Sequence, residues 1–257
     1  MSPADTLSSP IRLSVAAPAY NEAEGIEAVV AEWHGFLSAA PEVAEFEIVI
    51  CNDGSKDRTG DILDRLTLSY PQLVPVHFEK NQGAAAALTA AIAATKGDWV
   101  LLMDSDGQFP VQALPDMLAA LRRQDLNNLG SRAAIGIRQK KDVPFARFGS
   151  WASGCICNLV HGTRLADVNS AFKLVWGPTL RKLGLEAKGM NYSTEVTSRL
   201  LECAIVPVEV VIEHRPRVTG VSSMKLVRGA IHRFLFVAYI ALRQLLLKLG
   251  ILMRPLP

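Results

Sequence analysis

Trp99-Val100-Leu101-Leu102-Met103-Asp104-Ser105-Asp106-Gly107-Gln108 joins an unbroken apolar run to two acids and a glycine turn. Five apolar residues in a row read as a strand buried on both faces, the habit of parallel sheets covered by helices. Two carboxylates one residue apart at the end of that strand can turn toward one cation, and Gln108 can add a neutral oxygen. Hard oxygen ligands of this kind suit Mg²⁺ or Mn²⁺, which keep part of their coordination sphere for phosphate oxygens. Acid pairs also cap helices and line turns, so the motif alone leaves a structural reading open.

The residues upstream repeat the strand-then-polar pattern. Apolar runs at Ile11–Ala17, Phe46–Cys51 and Leu73–Phe78 alternate with helical spacing over Glu22–Ser38, Asp57–Leu68 and Gly83–Thr95. Strands separated by helices of this length make βαβ units and a parallel sheet. Downstream the pattern loosens: helices are expected at Val111–Arg122, Arg147–His161 and Tyr192–Cys203, and strands at Arg132–Ile137, Ala171–Val175 and Ile205–Ile212. The polar stretch Gln139–Asp142 reads as a mobile loop over a site. Ligands of open parallel sheets collect at the carboxyl ends of the strands. There the sequence puts Pro18, Tyr20 and Glu22, then Asn52, Asp53 and Gly54, then Asp104, Asp106 and Gln108, with neither a GxGxxG nor a P-loop pattern. Asp57 is positioned to cap the helix that follows it, whereas Asp53 is placed to meet a nucleobase or ribose or to stabilise the Gly54 turn.

The chain has 257 residues, 49% hydrophobic and 20% charged, which excludes a disordered chain, a fibrous repeat and a small disulfide scaffold. A net charge of +2 excludes a dedicated nucleic-acid binder, but it conceals an asymmetry. From Val211 onward eight cations face one acid, Glu213, a net of +7, and the first 210 residues carry −5. An acidic body with a basic tail points to a second surface that meets something anionic. Cys51, Cys155, Cys157 and Cys203 lack zinc-ligand spacing and read as reduced structural thiols, hence a cytoplasmic setting. The polar start carries no signal peptide, and the longest uncharged apolar run in the tail, Phe234–Leu242, falls well short of the roughly 20 residues that span a bilayer. At helical spacing Lys225, Arg228, His232 and Arg243 fall within about 60° of one another, a basic stripe fit either for a headgroup layer or for docking on the body or a partner.

In order and spacing, PAYNE (Pro18–Glu22), NDGSKDRT (Asn52–Thr59), NQGAAAAL (Asn81–Leu88) and GDWVLLMDSDGQ (Gly97–Gln108) resemble the family 2 glycosyltransferases of GT-A fold. GIR (Gly136–Arg138), Arg147 with Ser150, DVNSAFKLV (Asp167–Val175) and EHRPRVTGVSSMKL (Glu213–Leu226) narrow the likeness to the dolichyl-phosphate mannosyltransferases and polyprenyl-phosphate glycosyltransferases. The resemblance implies an α/β fold, a Rossmann-like, mostly parallel sheet flanked by helices and followed by a C-terminal amphipathic helix. It divides the chain into a flexible tail (residues 1–10), a catalytic domain (11–226) and a possible membrane-interfacial helix (227–257).

The resemblance further implies that Pro18, Tyr20, Glu22 and Asp53 hold the nucleoside of a nucleotide-sugar donor. Asp104, Asp106 and Gln108 would hold Mg²⁺ or Mn²⁺ against its diphosphate, with Arg217, Ser222 and Lys225 beside the phosphates. Arg138, Arg147 and Ser150 match the region that receives the phosphate of a polyprenyl or dolichyl phosphate, and the forked donors of arginine suit that role. Such an acceptor arrives ionised and needs no general base. It also brings the enzyme to the cytoplasmic face of a membrane as a peripheral protein, through the tail or a membrane-anchoring subunit. Glu195 lies near the place where hydroxyl-glycosylating relatives carry a catalytic acid pair. It is expected either to orient an arginine or a sugar hydroxyl, or to act as base toward a hydroxyl acceptor on a lipid, saccharide or small metabolite. A non-catalytic nucleotide-sugar-binding or scaffold subunit is the remaining alternative. Ala84, Ala91 and Gly154 depart from the family pattern and leave the donor sugar and acceptor identity open.

Overall fold

Among the described residues seven strands form one sheet, in the order β3 (Leu73–His77), β2 (Val43–Asn52), β1 (Ile11–Ala19), β4 (Trp99–Leu102), β6 (Lys173–Trp176), β5 (Ala133–Arg138) and β7 (Val208–Ile212). The computed structural model describes residues 2–126, 132–139, 144–186, 191–216 and 226–252. Strands β1 (Ile11–Ala19), β2 (Val43–Asn52), β3 (Leu73–His77) and β4 (Trp99–Leu102) pair in parallel, linked by helices α2 (Ile26–Ala39), α3 (Thr59–Leu66) and α4 (Ala84–Ala94). This half follows the sequence pattern closely: all four residues of β4 are buried, as an apolar run between two neighbours requires. Trp99 is fully buried against Trp176, ring centroids 5.4 Å apart, so Trp99→Ala should cost about 3–5 kcal/mol.

The second half breaks the parallel run. After α5 (Leu114–Leu126), β5 (Ala133–Arg138) skips one place, and β6 (Lys173–Trp176) fills the gap antiparallel to both β4 and β5. Helix α6 (Pro144–His161) makes the crossover between β5 and β6. After the short α7 (Gly177–Leu180), α8 (Tyr192–Glu202) leads to β7 (Val208–Ile212), which closes the sheet parallel to β5. The mostly parallel α/β architecture is therefore the expected one, with β6 as its antiparallel insertion.

Residues 3–7 differ from the flexible tail expected of residues 1–10. They form helix α1 (Pro3–Leu7), capped reciprocally by Ser2 and Asp5, and Leu7 is buried. The Thr6 hydroxyl accepts a 3.0 Å hydrogen bond from the Trp99 indole, which ties the N-terminus to the central strand.

Helix α9 (Leu226–Lys248) packs on α6 and α8, and its Phe236, Ile240 and Leu247 are buried. Arg243, counted above in a basic stripe, turns toward the body and donates from Nε to both oxygens of Glu202 at 3.1 Å. Among the described side chains Leu235, Leu242, Leu245 and, just past the helix, Leu249 are more than half exposed. No helix among the described residues is long and apolar enough to cross a membrane. All four cysteines are unbridged, and burial pushes the Cys51 and Cys157 thiols up to about 12.

Candidate functional site

The carboxyl ends of β1, β2 and β4 converge, and their loops are stitched together. After β1 the chain turns at Asn21, whose positive φ of 55° is tolerable for asparagine. Its amide N–H donates to Ser55 Oγ at 3.0 Å, and its side-chain oxygen accepts from Lys56 N at 2.8 Å. The Glu22 and Ala23 amides donate to Thr59 Oγ1 and Asp57 Oδ2, at 2.9 and 3.1 Å. Asp57 also accepts from the Thr59 amide, so it ties the first residue of α3 to the PAYNE loop, although the N-cap position itself is Arg58 and carries no side-chain cap. Pro18, Tyr20 and Glu22 are thereby brought beside Asn52–Ser55, each half-buried.

Asp53 is almost fully buried, and its carboxylate is occupied. Oδ1 accepts from Gln82 N at 2.7 Å, while Oδ2 accepts from Asn81 Nδ2 at 2.8 Å and Gly83 N at 2.9 Å. This makes it the anchor of the NQG segment at the N-terminus of α4, an organising role that its carboxylate performs without any ligand. Gly54 beside it has φ +60°, and a Cβ there would fall 2.5 Å from the Lys80 carbonyl carbon. Only glycine allows the two loops to approach this closely.

The acids after β4 are held from three directions. Ser105 donates to the Pro18 carbonyl at 2.8 Å, which fixes the loop to β1. Asp106, buried, accepts from the Gln108 amide at 3.1 Å around Gly107, whose φ is +74°. The Gln108 side-chain nitrogen donates to the Arg215 carbonyl at 3.2 Å, which turns its amide oxygen away from that carbonyl. Asp104 is half-buried and accepts from the hydroxyl of Tyr192, the first residue of α8. Two carboxylates and an amide oxygen are a donor set that fits a hard divalent cation and leaves it coordination positions for phosphate. Among the described residues no third acid, histidine or cysteine joins them, so the set is too sparse for a closed structural metal cage.

Behind these acids lies a buried charge cluster. Arg138, at the end of β5, forks onto Asp167, with Nε to Oδ2 at 2.7 Å and Nη2 to Oδ1 at 2.9 Å. Lys173 on β6 is fully buried and donates to the Ser170 carbonyl. Burial drives its ammonium down to about 7, although Asp167 and Asp104 pull the other way. Tyr192 moves in the opposite sense: burial, then the nearby Asp104 charge, holds its phenol well above the ordinary tyrosine value. The phenol thus stays a donor at neutral pH.

Glu195, one turn further along α8, is engaged by neighbouring groups of the fold. Its carboxylate accepts from the Glu186 amide at 2.8 Å and pairs with Arg199 at 3.4 Å, both side chains nearly inaccessible. Arg199 also meets Glu186, Glu202 and the Tyr239 hydroxyl of α9, a hub that clamps α8 to the C-terminal helix. Arg147 and Ser150 lie in the first turns of α6. Arg217, Ser222 and Lys225 fall outside the described residues, as do residues 140–142 of the expected loop. The sequence reading passed over Tyr192 and Lys173. Lys173 falls within the DVNSAFKLV segment and Tyr192 opens an expected helix, and what marks both is burial beside Asp104, a tertiary property with no local signature.

A family model for Glycosyl transferase family 2 matches residues 14–167, more than half of the chain. A dolichyl-phosphate beta-glucosyltransferase of Trichomonas vaginalis is 29% identical over 209 residues, 75% of this chain and 61% of that protein. An undecaprenyl-phosphate mannosyltransferase of Micrococcus luteus is 29% identical over 220 residues, covering 83% of this chain and 88% of that one. The chain therefore matches less than two thirds of the first relative's length and most of the second's. Among solved structures, glucosyl-3-phosphoglycerate synthase from Mycobacterium tuberculosis, in complex with Mn²⁺, UDP and phosphoglyceric acid, superposes with a TM-score of 0.64 at 18% identity. It covers 95% of this chain and 80% of that one, a likeness of fold. With the ordered strand-end motifs and the sheet order already in place, the family match assigns the chain to glycosyl transferase family 2.

Proposed function

We propose that the chain transfers a hexose from a nucleotide sugar to a polyprenyl phosphate, inverting the anomeric centre, with the help of a divalent cation. The observation that carries this reading is the pairing of Asp104 and Asp106 at the sheet edge with the Asp167-clamped Arg138 nearby. One side offers hard oxygens and the other a guanidinium held in a fixed orientation by Asp167, so that an acceptor phosphate would meet it outside that fork. The names of the Trichomonas and Micrococcus relatives support a lipid-phosphate acceptor.

In this reading the loops bearing Pro18, Tyr20, Glu22 and Asp53 receive the nucleoside. Asp104, Asp106 and Gln108 hold Mg²⁺ or Mn²⁺, which when bound supplies Lewis-acid stabilisation of the departing diphosphate. Arg217 and Lys225 add positive charge beside that leaving group, and the Ser222 hydroxyl adds a neutral hydrogen-bond donor. Arg138, Arg147 and Ser150 receive the acceptor phosphate, one of whose ionised oxygens attacks the anomeric carbon as the bond to the diphosphate oxygen breaks. No proton has to be removed, so no general base is required. The enzyme works at a membrane surface, where the outward leucines of α9 enter the headgroup layer or meet an anchoring partner.

A hydroxyl acceptor is the competing reading, favoured by the structural likeness to a synthase solved with phosphoglyceric acid. The engagement of Glu195 by Arg199 and the Glu186 amide argues against that residue as its base. The two readings separate when labelled GDP-mannose or UDP-glucose is offered with a polyprenyl phosphate, the corresponding polyprenol, and phosphoglyceric acid in parallel. Label in the organic phase from the phosphate alone supports the proposal. Transfer to polyprenol or to phosphoglyceric acid instead overturns it.

A further inference from the structure

We infer that Tyr192 is the positioning residue for Asp104, a neutral donor that fixes this carboxylate for a divalent cation; the inference rests on the metal reading above. The hydroxyl of Tyr192 donates to Asp104 Oδ1 from a side chain that is 5% exposed. A carboxylate at the end of a strand can rotate about its terminal bond, and a cation must stop that rotation when it binds. A donor already seated on one oxygen stops it beforehand, which lowers the ordering cost of binding. Because the phenol is uncharged, it does this without cancelling the negative charge that attracts the cation. An arginine or lysine in its place would compete with the metal.

The tyrosine can hold the carboxylate in place only if its own base is rigid, and α8 is unusually well pinned at its start. Ser193 Oγ donates to the Asn169 carbonyl at 3.0 Å, Thr194 Oγ1 to Asn169 Oδ1 at 2.5 Å, and Thr197 Oγ1 to the Val168 carbonyl at 2.9 Å. Three hydroxyls thus stitch the first two turns of α8 to the loop that follows Asp167, the same acid that clamps Arg138. One loop therefore fixes both the donor that aims Asp104 and the arginine proposed for the acceptor phosphate. The run Asn191-Tyr192-Ser193-Thr194-Glu195 gains a division of labour: Ser193 and Thr194 anchor, Tyr192 reaches the metal side, and Glu195 turns back to Arg199.

Mn²⁺ binding to the full chain, followed by loss of the free-ion EPR signal with and without saturating UDP or GDP, tests this apart from turnover. Tyr192→Phe should weaken Mn²⁺ about 10–100-fold, the usual cost of losing a partner behind a metal ligand. Its far-UV circular dichroism and melting temperature should stay close to wild type. Asp106→Asn serves as the reference for loss of a direct ligand. Wild-type affinity in a folded Tyr192→Phe overturns the role of Tyr192 and leaves the metal reading standing; absence of Mn²⁺ binding by the wild type overturns both. A fluorinated tyrosine placed at position 192 keeps the hydroxyl and needs no destabilised variant. Its fluorine NMR signal should move on Mg²⁺ addition in the wild-type background and stay fixed in Asp106→Asn, and a signal indifferent to Mg²⁺ in both overturns the inference.

Discussion

Removing the charge of Arg199 should cost substantial stability. Its side chain is 3% exposed, and it faces Glu195 and Glu202, whose side chains are 2% and 1% exposed. Arg199→Met keeps most of the volume and leaves Glu202 with Arg243 at 3.1 Å. Glu195 keeps the Glu186 amide but loses its ion pair with Arg199. An uncompensated buried carboxylate costs about 3–5 kcal/mol. For a chain of this size that corresponds to a fall in melting temperature of roughly 10 °C, and to a large share of a typical stability of about 5–15 kcal/mol. Because the penalty comes from the stranded acid, Glu195→Gln added to Arg199→Met should restore more than half of it. Urea titrations of wild type, both single variants and the double variant, followed by circular dichroism, complete the cycle. A loss below about 1 kcal/mol in Arg199→Met, or no recovery in the double variant, would refute the reasoning. The same set reports on chemistry: Glu195→Gln alone should keep transfer within a few-fold at a temperature where it is folded, whereas a general base would cost about 10²–10⁴-fold.

Other consequences follow from neighbouring residues. Asp53→Asn presents an amide N–H₂ to the donors that Asp53 now accepts, so it should cost about 1–3 kcal/mol and raise KM for the nucleotide sugar more than it lowers kcat, read from steady-state kinetics and melting curves. Burial depresses the His161 imidazole from 6.5 to about 4, so its contribution to stability is complete above pH 6.5 and is lost as pH falls toward 4. His161→Gln should flatten that part of the stability profile, and an unchanged slope in urea titrations across the window would contradict the assignment. Leu242→Lys with Leu245→Lys, at two exposed positions of α9, should leave melting within about 0.5 kcal/mol per site, as is usual for surface changes. The pair should abolish sedimentation with liposomes, and retained binding would remove these leucines from the membrane account.

The first four strands could be read from the chain because their signals are local. An apolar run, a helical repeat and a polar loop follow one another, and each run lands in the sheet beside its predecessor or across β1. The same locality placed Pro18, Asp53, Asp104 and Asp106 at one edge, since the ends of parallel strands share a side. Strand β6 is different: its position between β4 and β5 depends on a long crossover and an antiparallel register that no short window encodes. Helical periodicity aligns the cations of α9 without saying what they face. Spacing aligned Arg243 with other cations, but buried Glu202 on α8 decided which way it faces. Tyr192 and Lys173 were hidden for the same reason, since their meaning lies in a distant carboxylate. The N-terminal helix α1 was hidden by its length, being too short to show a period and held by its cap and by Trp99.

Transfer of labelled hexose from GDP-mannose or UDP-glucose to polyprenyl phosphate, with and without Mn²⁺ and with Asp106→Asn beside the wild type, is the most direct test. The account predicts an organic-extractable product with at least one donor, lost with EDTA and reduced at least about 100-fold in a folded Asp106→Asn, as expected when electrostatic stabilisation of the leaving group is removed. Equal transfer by Asp106→Asn, or no lipid-linked product from folded wild type with either donor, would contradict it.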